Sequence, residues 1–387
     1  MSWNPEQFPE LHHEALFGDR VVPCYRDRPG HFHDLLREAA RRFPEREALV
    51  DKDTRLTWAE LDGECDRVAK ALAANGLAAG QRAVILMGNG NGFVVTLFAI
   101  ARLGAISVPF SAHEVAYVLE DSGAVMLVHD GMQADRLGKA RNIACLALDE
   151  LSGEAPLPQI LPGEQEPAFI LYTSGTTGRP KGAVLAHVNI IHAAMDYVAA
   201  MKVTHEDRII AAVPLNHVTG IAALISTAAH GGACLIIMSA FKTTAFLDLA
   251  EKEAMTYTLM VPAMYNLCLL QPDFGQRKLR AWRLAAYGGA PMPEPTIRML
   301  ASTIPGLKFA NCYGATETIV AQLITPPEFA YDKREFVGCP LPGTKAIVMG
   351  ADGREVPAGT PGELWLGGPN VVRGYWGNAE ATRLNFQ

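Results

Sequence analysis

The chain has 387 residues, 49% of them hydrophobic and 19% charged, with a formal net charge of −7. That is enough for a large buried core, and the charge is spread without a basic block, which excludes a polyanion-binding surface and hence a nucleic-acid partner. Seven cysteines, at 24, 65, 145, 234, 268, 312 and 339, are too scattered for a disulfide scaffold or a zinc site and point to a reducing, cytoplasmic compartment.

The N-terminus has no basic segment leading into an apolar stretch, so no signal peptide is expected. Helical periodicity is predicted over 32–42 and 58–75, a short apolar strand over 83–87, a helix over 92–103 and a strand over 124–128. A Pro-rich loop over 151–167 closes this half. A second cycle runs from 189 to about 314, with strands at 208–213, 234–238 and 284–287 and a helix at 221–230. The most apolar region, 209–238, is broken by Pro214, Asn216, His217, His230, Gly231 and Gly232, which predicts strand, loop and core helix rather than a membrane span. Beyond Pro326 the texture changes to short strands punctuated by Gly and Pro, at 345–349 and 362–366. The expected fold class is α/β: two mostly parallel sheets flanked by helices, plus a C-terminal β-rich subdomain with a distorted-barrel character. The expected divisions are 1–188, 189–318 and 319–387.

The most informative segment is Leu171-Tyr172-Thr173-Ser174-Gly175-Thr176-Thr177-Gly178-Arg179-Pro180-Lys181-Gly182. An apolar strand end runs into small residues whose backbone N–H groups and hydroxyls can surround phosphate oxygens, and Lys181 adds a compact positive charge. The spacing differs from that of the P-loop NTPases. This string resembles the loop of the adenylate-forming superfamily, which includes acyl-CoA and aryl-CoA synthetases, peptide-synthetase adenylation domains and firefly-type luciferases.

Further motifs occur in the same order. Asn311-Cys312-Tyr313-Gly314-Ala315-Thr316-Glu317 is similar to the superfamily's Tyr-Gly-x-Thr-Glu element, and Tyr287-Gly288-Gly289-Ala290-Pro291 to the adenine-side loop before it. Tyr313 offers a face for adenine, Gly288 and Gly289 let backbone approach the base, and the Thr316 hydroxyl can bond the α-phosphate. Glu317 is a hard oxygen ligand suited to Mg²⁺, which binds one or two carboxylates together with phosphates. Downstream, 362–369 and Gly374-Tyr375-Trp376 resemble the superfamily's next block and are read as structural. Upstream, 56–61 and 103–109 also match, so the resemblance runs from about residue 30 to the end. Gly88-Asn89-Gly90-Asn91-Gly92 lacks dinucleotide-loop spacing, His187 and His192 lack metal-ligand spacing, and the pairs His12-His13 and His31-Phe32-His33 have no visible third ligand.

Pro214-Leu215-Asn216-His217-Val218-Thr219-Gly220 resembles the segment that lines the acid pocket. His217 either gates that pocket or neighbours the reacting carboxylate, or else is a packing histidine; these readings stand side by side. No Asp lies between 214 and 221 to pair an α-ammonium, so an uncharged acyl or aryl tail is expected. By analogy, Val218, Thr219, Ala290, Ala315 and Ile319 join His217 in the substrate wall, with Ala222 and 261–265 nearby. Asp196, if it faced the pocket, would favour a hydroxylated or amino-bearing acid.

The resemblance implies that a carboxylate attacks the α-phosphorus of ATP, releasing pyrophosphate, and that coenzyme A then takes the acyl group. It also implies a ribose-binding aspartate, a hinge and a smaller C-terminal domain. The sequence stops at Asn385-Phe386-Gln387, so the expectation is a fragment that binds ATP and acid but adenylates slowly. Two other readings remain: transfer to a carrier protein, and a non-catalytic binding homologue.

Overall fold

In a computed structural model, residues 1–110, 115–131, 143–159, 161–173 and 179–386 are described. Two large sheets dominate. In the first, the strand order is Lys181–Ala186, Pro167–Thr173, Ile106–Pro109, Arg82–Leu86, Met126–His129 and Ala144–Ala147. All neighbours are parallel except the first pair. The second has nine strands: Cys339–Pro340, Val320–Ile324, Lys308–Ala315, Leu284–Gly288, Tyr257–Met260, Arg208–Ala211, Cys234–Ile237, Glu47–Asp51 and Thr54–Thr57. Its six central strands are parallel and its edges antiparallel. Parallel strands need crossovers, and the helices between them cover the sheet faces, which is why these strands read as unbroken apolar runs.

Sheet membership crosses the expected divisions at 188 and 318. Glu47–Asp51 and Thr54–Thr57 belong to the nine-stranded sheet, as do Val320–Ile324 and Cys339–Pro340. An N-terminal hairpin, Leu11–Leu16 with Arg20–Tyr25, and a late ladder, Lys345–Met349 with Glu363–Gly367, stand apart.

The helix Trp58–Ala74 starts where Thr57-Trp58-Ala59-Glu60 supplies a capping box. The Glu60 amide donates to Thr57 Oγ1 at 3.2 Å and the Thr57 amide donates to Glu60 Oε2 at 2.8 Å. Helices Asn91–Arg102 and His187–Met201 are buried on nearly every face; the second buries His187, Asn189, His192 and Asp196 along with its apolar residues. His187–Met201 follows directly from Lys181–Ala186 and also contacts Val320–Ile324, so it bridges the two sheets. One core therefore holds Ile85 and Phe169 of the first sheet with Ile209, Leu235 and Ala286 of the second.

The segment expected as an α-helix over 221–230 instead begins as a π-helical stretch, Thr219–Ser226, followed by Thr227–Gly231. The Ser226 and Thr227 hydroxyls donate to the carbonyls of Ile221 and Ala222, five residues back, which supports the wider turn. Among the described residues no helix is long and apolar enough to cross a membrane.

Candidate active site

Strands Leu284–Gly288 and Lys308–Ala315 run parallel, with Gly288 opposite Cys312. Their carboxyl ends, with those of Tyr257–Met260 and Arg208–Ala211, open into a cavity of about 360 Å³. Ligands of open α/β sheets bind in such crevices, outside the carboxyl ends of the strands. Gly288, Gly289, Gly314, Ala315 and Thr316 line one side, and His217, Val218 and Thr219 another. The Ala315 amide donates to Thr318 Oγ1 at 2.9 Å, fixing the short 3-10 turn Thr316–Thr318 that carries both Thr316 and Glu317. Gly289, at φ 77°, turns the chain where a side chain would be strained.

The inner part of the cavity is uncharged. Tyr197 is 1% exposed, and its hydroxyl oxygen accepts a bond from the Ala321 amide at 3.4 Å. Burial raises the Tyr197 phenol well above its ordinary pKa and pushes the Cys312 thiol up to about 12, so both stay neutral. Leu259, Met260 and Ala321 complete this apolar end. His217 is exposed at the mouth, yet the protein packed around its ring holds its pKa below the usual histidine value. It is therefore neutral at pH 7.

Thr173 and Lys181 face each other as antiparallel register partners, and Thr173 Oγ1 lies 3.5 Å from the Lys181 carbonyl oxygen. They close the base of the Ser/Thr/Gly loop, whose Ser174, Gly175, Thr176, Thr177 and Gly178 lie outside the described residues. On the far side, the Tyr117 hydroxyl donates to the Pro180 carbonyl at 3.0 Å and Arg179 lies 5.5 Å from the Tyr117 ring centroid.

Lys181 and Glu317 come from different sheets and meet at Tyr375. The Lys181 ammonium lies 5.4 Å from the Tyr375 ring centroid, and the Tyr375 hydroxyl donates to Glu317 Oε1 at 2.7 Å. Burial, then the bond to Glu317, raises the phenol's pKa. The sequence reading took Gly374-Tyr375-Trp376 as structural, and its backbone does pair with a strand: the Trp376 amide donates to the Gly182 carbonyl at 2.7 Å and the Val184 amide to that of Gly374 at 3.0 Å. Nothing in the spacing of the motif announced the contact with Glu317.

Other expected site residues lie elsewhere. Ala290 and Pro291 are exposed beyond the cavity lining, and Tyr313 is 41% exposed outside it. Asn311 is buried and its amide donates to the Phe336 carbonyl at 3.1 Å, holding the following loop. Ile319 is fully buried in the main core with φ 47°, because the left-handed residue after the 3-10 turn aims its side chain inward. Ala222 is likewise core, and the Tyr265 hydroxyl donates to the Ala286 carbonyl at 2.6 Å. Asp196 faces away from the cavity, accepting from the Tyr25 hydroxyl at 2.6 Å and from the Asn370 amide at 2.8 Å. It lies one residue from Tyr197, which lines the cavity, and successive helical residues point about 100° apart, so the two side chains face different surroundings. Tyr197 itself escaped notice because helical periodicity marks a residue as buried without saying what it is buried against.

A family described as AMP-binding enzyme matches residues 36–376. The chain is 33% identical over 353 residues to a feruloyl-CoA synthase of an Amycolatopsis species, covering 89% of this chain and 71% of that protein. To the indoleacetate–CoA ligase of Aromatoleum aromaticum it is 31% identical over 366 residues, covering 89% and 70%. The inhibitor-bound N-terminal domain of FACL13 from Mycobacterium tuberculosis superposes with a TM-score of 0.87 at 30% identity, covering 93% of this chain and 94% of that one. Matched along most of its length in sequence and fold, the chain belongs to the AMP-binding, adenylate-forming enzyme family.

Proposed function

We propose that this chain is an acid–thiol ligase: it joins an uncharged aryl or acyl carboxylic acid to ATP as an acyl-adenylate and passes the acyl group to coenzyme A. The observation that carries this reading is the single cavity in which Gly288, Gly289, Gly314 and Thr316 stand against His217, Val218 and Thr219. A nucleotide fits the first set, whose small residues expose backbone. The acid tail fits the neutral interior around Met260, Cys312 and Ala321, where a buried ammonium would have no counter-charge.

Thr173, Lys181 and the loop between them neutralise the triphosphate, Thr316 bonds the α-phosphate, and His217 sits beside the reacting carboxylate. The donor chemistry at Glu317 suits Mg²⁺: Oε1 is held by Tyr375, and the carboxylate is a hard oxygen ligand next to Thr316. When bound, the metal supplies positive charge for the phosphate oxygens. Two anions must be brought together, so positioning and charge neutralisation account for most of the catalysis.

Acid-dependent exchange of pyrophosphate into ATP tests the reading. Aryl and acyl acids are expected to support exchange while amino acids of similar shape do not. Exchange independent of the acid, or favouring the amino acids, overturns it.

A further inference from the structure

Lys181 and Glu317 carry opposite charges, yet among the described residues they form no ion pair with each other. The side chain between them is Tyr375, with its ring towards the ammonium and its hydroxyl on the carboxylate. We infer that Tyr375 is a positioning residue for the first reaction step: it keeps the Lys181 cation and the Glu317 carboxylate apart and leaves Glu317 Oε2 free to serve the metal–nucleotide. This inference rests on the proposed metal role of Glu317.

Tyr375 is fixed from several directions, as such a spacer must be. Its backbone bridges to Ala183 on the strand that begins at Lys181. Its amide donates to Thr382 Oγ1 at 3.0 Å, and its ring meets Phe386 edge-on at 5.5 Å. Gly374, at φ 154°, lets the chain approach Thr382 so closely that a Cβ would lie 2.5 Å from Thr382 Cγ2. The spacer is thus anchored to the Lys181 strand, and only its hydroxyl crosses to the other sheet.

Two physical consequences follow. With Oε1 taken up by the phenol, Glu317 presents one oxygen in one orientation rather than two in many. With an aromatic face beneath it, the ammonium is held by a weak, non-quenching attraction rather than a direct carboxylate contact, and remains available to phosphate.

The test is calorimetric titration of the 387-residue chain with α,β-methylene-ATP, in Mg²⁺ and in EDTA. Tyr375→Phe keeps the ring, so we expect nucleotide affinity in Mg²⁺ to fall about tenfold and affinity in EDTA to stay unchanged, the loss expected for one hydrogen bond to a charged group. Tyr375→Leu removes the spacer as well, and affinity should then fall in EDTA too as Lys181 collapses onto Glu317. Equal losses with and without Mg²⁺ in Tyr375→Phe, or no loss, overturn the inference. Glu317→Gln separates the two levels. If it weakens Mg²⁺-dependent binding while Tyr375→Phe does not, only the spacer role fails; if it leaves Mg²⁺ dependence intact, the metal reading of Glu317 fails with it.

Discussion

Gly288 lies against the backbone of Cys312 on the neighbouring parallel strand, where a Cβ would stand 2.6 Å from the Cys312 carbonyl oxygen. The obstructing atom is main chain within a sheet, so it cannot swing aside as a flexible side chain would. Gly288→Ala is expected to cost about 1–3 kcal/mol of stability through overpacking and to narrow the nucleotide side of the cavity. Urea denaturation and nucleotide titration together check this; an unaltered midpoint and affinity would mean the strands separate freely.

Lys181→Ala and Glu317→Ala each remove a charge proposed to act on the phosphates. Charge-assisted hydrogen bonds contribute roughly 1.5–3 kcal/mol, so a ten- to hundredfold drop in Mg·ATP affinity is expected for each. The two residues share Tyr375, so the double variant should fall short of the product of the single losses. Strictly additive losses would show that the residues act independently.

Asp196 is fully enclosed between Tyr25 and Asn370, and burial raises its carboxyl to about pKa 7 from the ordinary 3.8, against the opposing pull of both hydrogen bonds. Because the folded value lies above the unfolded one, the stabilising contribution is complete below about pH 4 and is lost as pH rises through 7. Asp196→Asn should remove that slope with little loss of fold: Asn370 Oδ1 has no hydrogen-bond partner and can accept the new amide once its own amide turns over. Asp196→Ala leaves both partners unsatisfied and should cost about 1–3 kcal/mol for each. Denaturation curves from pH 4.5 to 8 distinguish the three proteins.

Buried histidines act in the opposite sense. Desolvation first, then the charges of His31, Arg102 and Arg37, lowers His33 to about 3; burial and nearby cations or histidines bring His192 to about 3, His230 to about 4 and His187 well below its usual value. These rings are neutral in the fold and take up protons on unfolding below pH 6.5. Their contribution is complete above 6.5 and is lost as pH falls toward the folded values. Four such groups outweigh Asp196, so stability should drop steeply on acidification. His33→Phe should reduce that slope by about 1.4 kcal/mol per pH unit. An unchanged acid limb in the variant would refute the assignment.

Much of the fold was legible because its cause is local. Apolar periods of strand and helix, the capping box at Thr57 and Glu60, and the Gly-punctuated texture after Pro326 follow from backbone preference and one-dimensional pattern. The motifs around Lys181, Thr316 and Glu317 were legible by residue type and order, and the family they pointed to is the one that matches residues 36–376. What tertiary structure alone decided was which elements share a sheet and which side chains share a space. Glu47–Asp51 lies beside Cys234–Ile237, nearly two hundred residues later, because strand pairing across a crossover leaves no local trace. The same holds at the site. Whether Asp196 or Tyr197 meets the cavity depends on the rotation of one buried helix, and the contact of Tyr375 with Glu317 depends on two sheets coming together around a common core.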